Sequence, residues 1–399
     1  MRTYEQTHPW ITFNLNLERD LNEKCWLLLG ESISKLDHIA GVPLQPDIAA
    51  ELNTIFLSKG AHATTQIEGN TLSEEQVRRR VDHDLDLPPS QEYLGQEIDN
   101  VVAGYNRITS DLTQGDLTDL TPERIRMFNT YVLKDLLREG DGKPGEIRTT
   151  SVTVGNVYRG APAEDCAYLL DKLCGWLAEL RDVSVGTAYE RPVAILSALM
   201  AHLYITWIHP FEDGNGRTAR LVEYQLLLQA GAPAVAAHVI ADHYNKTRTA
   251  YYRELHRTSR EPYSPTGLVE YSLQGFVDGL RQQLVLIQEQ QLTVTWHHFV
   301  HDVYGKDTPA SSRQRKLLLA LPYESWTPKG DIRTLLGTRI ALLYADKDDK
   351  TITRDVNALE QAGLLMTSRR GVITIMKPRI DRLLAFTSPS GRPPIGNQP

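Results

Sequence analysis

At 399 residues the chain is too long for one ordinary hydrophobic core, so two or three domains are expected. A composition 41% hydrophobic and 23% charged is that of a folded soluble protein. The net charge of -7 excludes a polyanion binder over the chain as a whole, though it leaves a local basic patch open. Cys25, Cys166 and Cys174 are odd in number and have no metal-knuckle spacing, so they read as reduced thiols. With no basic-then-apolar leader in MRTYEQTHPW, a cytoplasmic location is the expectation.

Almost everything to about residue 290 reads as helix, so the fold class is mainly α. LNEKCWLLLGESISKLDHIAG has apolar residues at helical spacing and stops at Gly41 before Pro43. QPDIAAELNTIFLSKGAHATTQIEGN reads as a helix or two ending near Gly69 and Asn70, and TLSE (Thr71–Glu74) has the signature of a capping box for the next. SQEYLGQEIDNVVAGYNRITSDL is amphipathic. TPERIRMFNTYVLKDLL opens with Thr121 as N-cap and Pro122 at the first helical position. Gly145 to Pro162 breaks the pattern: it is rich in Thr and Val around Gly155-Asn156, a hairpin signal, read as a surface excursion or as an edge for docking an extended peptide.

Pro192 to Phe211 contains no Asp, Glu, Lys or Arg and is nearly long enough to span a bilayer. It holds two histidines and runs straight into a charged loop, so it reads as a buried central helix, with His202 as a hydrogen-bonded core residue.

That loop is HPFEDGNGRTAR, His209 to Arg220. Gly214, Asn215 and Gly216 can turn successive N–H groups inward ahead of the next helix, which makes an anion site. Arg217 and Arg220, three residues apart, reach one face and suit a polyphosphate. The absence of a lysine excludes a P-loop. Asp213 offers a hard oxygen for Mg²⁺ bridging phosphates, and His209 an imidazole able to take a proton. These parts make a nucleotidyl or phosphoryl transfer site.

The stretch matches HPFx(D/E)GNGRxxR throughout and so resembles the Fic family. The resemblance implies a nucleotidyltransferase that moves AMP from ATP to a Ser, Thr or Tyr hydroxyl on a target protein. His209 would be the general base and Asp213 the Mg²⁺ ligand. Gly214, Asn215 and Gly216 would form the anion hole, and Arg217 and Arg220 would grip the β- and γ-phosphates. Phe211 would plug the loop into the core. Residues 150–158 look like the family's flap, which aligns the target by strand addition. ADHYNKTRTAYYREL looks like the helix near adenine, implying contacts from Asn245, Tyr251 and Tyr252, although Thr247 stands where family members often have asparagine. TTQIEG (Thr64–Gly69) matches the inhibitory motif (S/T)xxxE(G/N), so Glu68 would occupy Arg220 and restrain the enzyme.

Beyond residue 290, helical segments followed by a turn at Arg369-Arg370-Gly371 between short strands have the order of a winged helix-turn-helix. DKDDK (Asp346–Lys350) lacks the glycine of a calcium loop and reads as solvated. The expected organisation is a helical region with the inhibitory helix at 1–110, a Fic catalytic domain at 111–288, a winged-helix domain at 289–385 and a Pro/Gly/Ser-rich disordered tail at 386–399. Partners expected are a target protein, with self-modification, DNA contact through the winged helix and a homodimer left open, and no membrane. Two other functions stay in view: removal of AMP by the same site, and DNA-binding regulation.

Overall fold

The computed structural model describes residues 2–116, 119–136, 142–154, 158–305, 308–323, 325–334 and 338–383. The Gly155-Asn156 turn and the 386–399 tail lie outside the described residues. The chain divides into two compact units, residues 1–284 and 285–399.

In the first unit, α1 (Glu23–Gly41) is capped by Asn22, whose side chain accepts the Cys25 N–H. α2 (Pro46–Ile67) opens with Pro46 and ends on Glu68. α3 (Glu74–Val81) does have a capping box, but it is Ser73 with Gln76 rather than Thr71 with Glu74. The expected box was two residues early because Leu72 is buried (2% exposed) and its N–H is bound by Asn70 Oδ1, so the turn continues past Thr71. α4 (Glu92–Thr113) is continuous across residue 110, where a domain boundary was expected. α5 (Pro122–Val132) starts as expected, with Thr121 accepting the Arg124 N–H.

A short antiparallel pair follows, β1 (Thr153–Val154) with β2 (Tyr158–Arg159), in register Thr153 to Arg159. α6 (Cys166–Ser184), α7 (Glu190–Ile208) and α8 (Asn215–Gln229) come next. α7 is the apolar helix; by length and composition it could cross a membrane, yet 78% of its apolar window is buried inside the fold. It packs against α6, α8 and α1. α9 (Val239–Lys246) and α10 (Arg248–Thr258) follow, and α11 (Thr266–Val303) begins in this unit. α2 lies against α9, α4, α3 and α8, which carries its C-terminal end to the start of α8.

The second unit has its own core of Trp296, Leu317, Tyr344, Leu359 and Met376, among others. Its elements are α12 (Pro309–Ala320), β3 (Thr327–Pro328), α13 (Thr338–Tyr344), α14 (Asp349–Gln361), β4 (Leu365–Arg370) and β5 (Ile373–Pro378). The strands form an antiparallel sheet in the order β3-β5-β4, with Leu365 opposite Pro378 and Arg370 opposite Ile373. Buried Asp355 accepts from Arg313 (2.7 and 3.0 Å), Gln314 (2.7 Å) and the Tyr344 hydroxyl (3.0 Å), so its charge is fully partnered inside the core. Asp348, inside DKDDK, caps α14 by accepting the Thr351 N–H at 2.7 Å.

Candidate active site

Two sharp backbone reversals build the loop between α7 and α8. His209, just past α7, takes left-handed angles (φ 50°, ψ 61°), and its N–H still bonds the Ile205 carbonyl at 2.9 Å. Gly214 is also left-handed (φ 74°), a conformation free of cost only for glycine. Between them Phe211 is 1% exposed. The Asn215 side chain clasps the loop, accepting the Phe211 N–H at 2.9 Å and donating to the Phe211 carbonyl at 2.8 Å. Thus Asn215 holds the loop with its side chain while its backbone N–H belongs to the first turn of α8. That turn has no side-chain cap, which leaves orphan donors and the positive end of the helix dipole at the site.

Several residues unnoticed in the sequence hold this loop. Arg148 is 3% exposed. Its guanidinium donates to the carbonyls of His209 (2.7 Å), Thr150 (2.5 Å), Ile208 (3.3 Å) and Ala161, and its N–H donates to the Pro210 carbonyl at 3.0 Å. One side chain therefore ties the loop to both limbs of the hairpin. Asn129, from α5, donates to the Asp213 carbonyl (2.9 Å) and accepts the Gly145 N–H (2.9 Å). The Tyr158 hydroxyl donates to the Trp207 carbonyl at 2.8 Å. Gly160 lies so close that a Cβ there would stand 2.9 Å from His209 Cβ and 3.0 Å from the Arg148 guanidinium.

Burial, with the Arg148 charge assisting, lowers the His209 pKa to about 4, so the imidazole is neutral at neutral pH. Its Nδ1 is buried without a hydrogen-bond partner among the described residues. Asp213, by contrast, has a side chain 71% exposed; its Oδ1 accepts the Gly214 N–H at 2.6 Å and its Oδ2 lies 3.4 Å from Arg217.

The Glu68–Arg220 pair implied by TTQIEG is formed, and Arg217 meets a second carboxylate, Glu97. Arg220, its side chain 1% exposed, donates to Glu68 Oε1 at 2.5 Å and to the Thr64 carbonyl at 2.9 Å. Arg217 donates to Glu97 Oε1 at 3.3 Å, and Asn70 holds the other oxygen of Glu97 at 2.8 Å. The Nε atoms of both arginines are buried and have no partner among the described residues. Glu68, at the end of α2, also lies against Gly216, where a Cβ would strike its carboxylate. Burial opposes ionisation of Glu68, but the Arg220 guanidinium outweighs it and holds the carboxyl below its usual range.

The remaining three residues differ in placement. Asn245 donates to Gln66, inside TTQIEG, at 2.6 Å. Tyr251 is 3% exposed, with its hydroxyl on His202 Nε2 (2.8 Å) and its ring stacked on Tyr244. It is a core residue here. Tyr252 is 42% exposed beside Arg248. His202 is buried against Tyr251 and Glu223, a core histidine as expected.

Residues 119–227 match the Fic/DOC family. A protein adenylyltransferase, fic-1, from Caenorhabditis briggsae is 32% identical over 196 residues, 48% of this chain and 35% of that protein. A protein adenylyltransferase Fic from Nematostella vectensis is 28% identical over 202 residues, covering 50% and 42%. The chain thus spans well under half the length of the curated relatives it matches. A crystal structure of a Fic family protein from Desulfovibrio desulfuricans G20 shares the fold with a TM-score of 0.55 at 18% identity, over 90% of this chain and 96% of that one.

Proposed function

Residues 119–227 belong to the Fic/DOC family, and from that premise we propose that the chain transfers AMP from ATP to a hydroxyl of a target protein and is restrained by Glu68. The observation that carries the reading is the meeting of a neutral His209 with an uncapped helix start and two buried arginine Nε donors around one loop. Such donors suit phosphate oxygens.

In the proposed reaction His209 takes the proton of the incoming Ser, Thr or Tyr hydroxyl. The hydroxyl oxygen bonds to the α-phosphorus as the bond to the bridging oxygen of pyrophosphate breaks in line. The N–H groups of Asn215 and Gly216 at the start of α8 would face the charge that develops, with the Gly214 N–H joining them once it leaves Asp213 Oδ1, and Arg217 and Arg220 would take the leaving phosphates. Arg148 and Asn215 keep His209 and the loop in place. Among the described residues no cluster of three metal-binding side chains occurs. A single exposed carboxylate nevertheless suits Mg²⁺, which keeps several waters and takes phosphate oxygens, so Asp213 is the residue that would hold it. When bound, the ion neutralises charge on the phosphates. The 150–158 hairpin would dock the target segment by strand addition; Asn245 and Tyr252 remain candidates for the adenine side, and Tyr251 acts behind them in the core. Residues 111–288 are read as the catalytic domain and 289–385 as a winged helix.

Incubation with ATP labelled at the α-phosphorus tests this. Label on protein that disappears in His209→Ala supports it; equal label in both overturns it. A second reading, removal of AMP from a modified protein, is favoured by the Glu68 carboxylate lying beside Gly216, where it can also orient water. Loss of AMP from a purified modified target only while Glu68 is intact would favour it.

A further inference from the structure

We propose that residues 309–383 bind duplex DNA, with α14 in the major groove and the β4–β5 hairpin against the phosphate backbone. The proposal rests on surfaces the transfer reaction does not use.

α14 has two opposed faces. Ile352, Asp355, Val356 and Leu359 are buried. Lys350, Arg354, Asn357 and Gln361 are exposed, at i, i+4, i+7 and i+11, which places them in one line along the helix. At 1.5 Å per residue the line is about 16 Å long, roughly five base-pair steps. None of the four side chains makes a hydrogen bond or ion pair with another described residue. Arginine pairs with the guanine edge and asparagine or glutamine with the adenine edge, so the stripe carries the donor and acceptor types that read bases. It offers no aromatic platform for stacking a single strand and no large apolar residue to seed a protein interface. The helix before it, α13, and a four-residue turn complete a helix-turn-helix.

The hairpin supplies the second contact. Arg369 and Arg370 stand exposed at the end of β4, next to a fully exposed Val372 at the tip.

Charge decides between nucleic acid and a neutral partner. Residues 309–383 contain 14 Lys and Arg against 8 Asp and Glu, a net +6, within a chain whose total is -7. Of the acids near α14, Asp349 pairs with Arg333 (2.9 Å), Asp346 with Lys347 (2.7 Å) and Asp355 with Arg313, while Glu360 accepts from the Thr367 hydroxyl and Asp348 from the Thr351 N–H. The side chains of Lys350, Arg354, Arg369 and Arg370 make no hydrogen bond or ion pair with another described residue, although the Arg354 charge is felt by Asp348. The positive charge is therefore concentrated in this segment of an otherwise acidic chain, and Lys350, Arg354, Arg369 and Arg370 present part of it to solvent.

The test uses the full chain and a fluorescein-labelled random-sequence duplex of about 30 base pairs, followed by anisotropy between about 50 and 200 mM salt. Binding in the micromolar range at low salt is expected, weakening steeply with salt, and the double change Arg369→Ala with Arg370→Ala should flatten the log–log salt slope by about 1.8. Arg354→Ala should abolish enrichment of any preferred sequence from a random duplex library. His209→Ala should bind like the parent. These positions are exposed, so unchanged thermal unfolding shows that the variants are folded. No anisotropy change at about 100 µM protein in low salt, an unchanged slope in the double variant, or equal binding of a single strand of the same length would each overturn the proposal.

Discussion

Replacing Glu68 by glycine removes one carboxylate and, on the proposed mechanism, frees the γ-phosphate clamp. The magnitude follows from the contact. Glu68 Oε1 lies 2.5 Å from an Arg220 guanidinium whose side chain is 1% exposed, while Glu68 itself is 33% exposed. With charge centres about 4 Å apart and an effective dielectric near 20, the attraction is about 4 kcal/mol before desolvation is subtracted. Burial of the arginine and partial wetting of the carboxylate reduce this to a net of about 1–3 kcal/mol, or roughly five- to 150-fold in the population open to ATP. Arg220 keeps its bond to the Thr64 carbonyl, so the change releases the guanidinium without stranding it. Initial rates of α-labelled AMP incorporation, parent against Glu68→Gly at equal protein and ATP, should therefore differ by about that factor. Equal rates would refute the reasoning. So would a gain that survives when Arg220 is also replaced by alanine, because the benefit would then not run through the pair.

Other outcomes follow from the same geometry. Arg148→Gln gives up donors to several loop and hairpin carbonyls and should cost about 2–4 kcal/mol in urea unfolding, together with most of the transfer rate in the Glu68→Gly background. Arg148→Lys should not rescue it, since an ammonium cannot span those acceptors. Gly160→Ala places a methyl 2.9 Å from His209 Cβ, so kcat should fall by about tenfold or more while the second unit, followed by its tryptophans, unfolds as before. As pH falls, a histidine base is lost on protonation. With the His209 pKa near 4, the rate in the Glu68→Gly form should hold from pH 8 to pH 6, where an ordinary histidine would lose about three-quarters of its base form. A fall centred near pH 6.5 would contradict the buried neutral imidazole.

The order of helices and the transfer loop were readable because both rest on local rules. Thr121-Pro122 starts a helix where a capping side chain and a fixed φ say it should. Gly214 takes the positive φ its neighbours in the loop required. Arg148 was not readable, because its partners are carbonyls at residues 150, 161, 208 and 209, and a carbonyl has no signature in sequence. The Glu68–Arg220 pair was legible from TTQIEG, but the Glu97–Arg217 contact was hidden for the same reason as Arg148: Glu97 reaches Arg217 only through the packing of α4 against α8. β3, two residues long, carries no periodicity and exists through its pairing with β5. Tyr251 beside Tyr252 shows the limit of spacing arguments. Adjacent tyrosines on one helix fall on different faces, and only the position of His202 decides which is core.

The most direct measurement compares Glu68→Gly with the double change Glu68→Gly and His209→Ala, using ATP labelled at the α- or the γ-phosphorus. The account predicts protein-bound label from the α position only, in the first variant only, with pyrophosphate released in equal amount. Label from the γ position, or equal α-label in both variants, would contradict it.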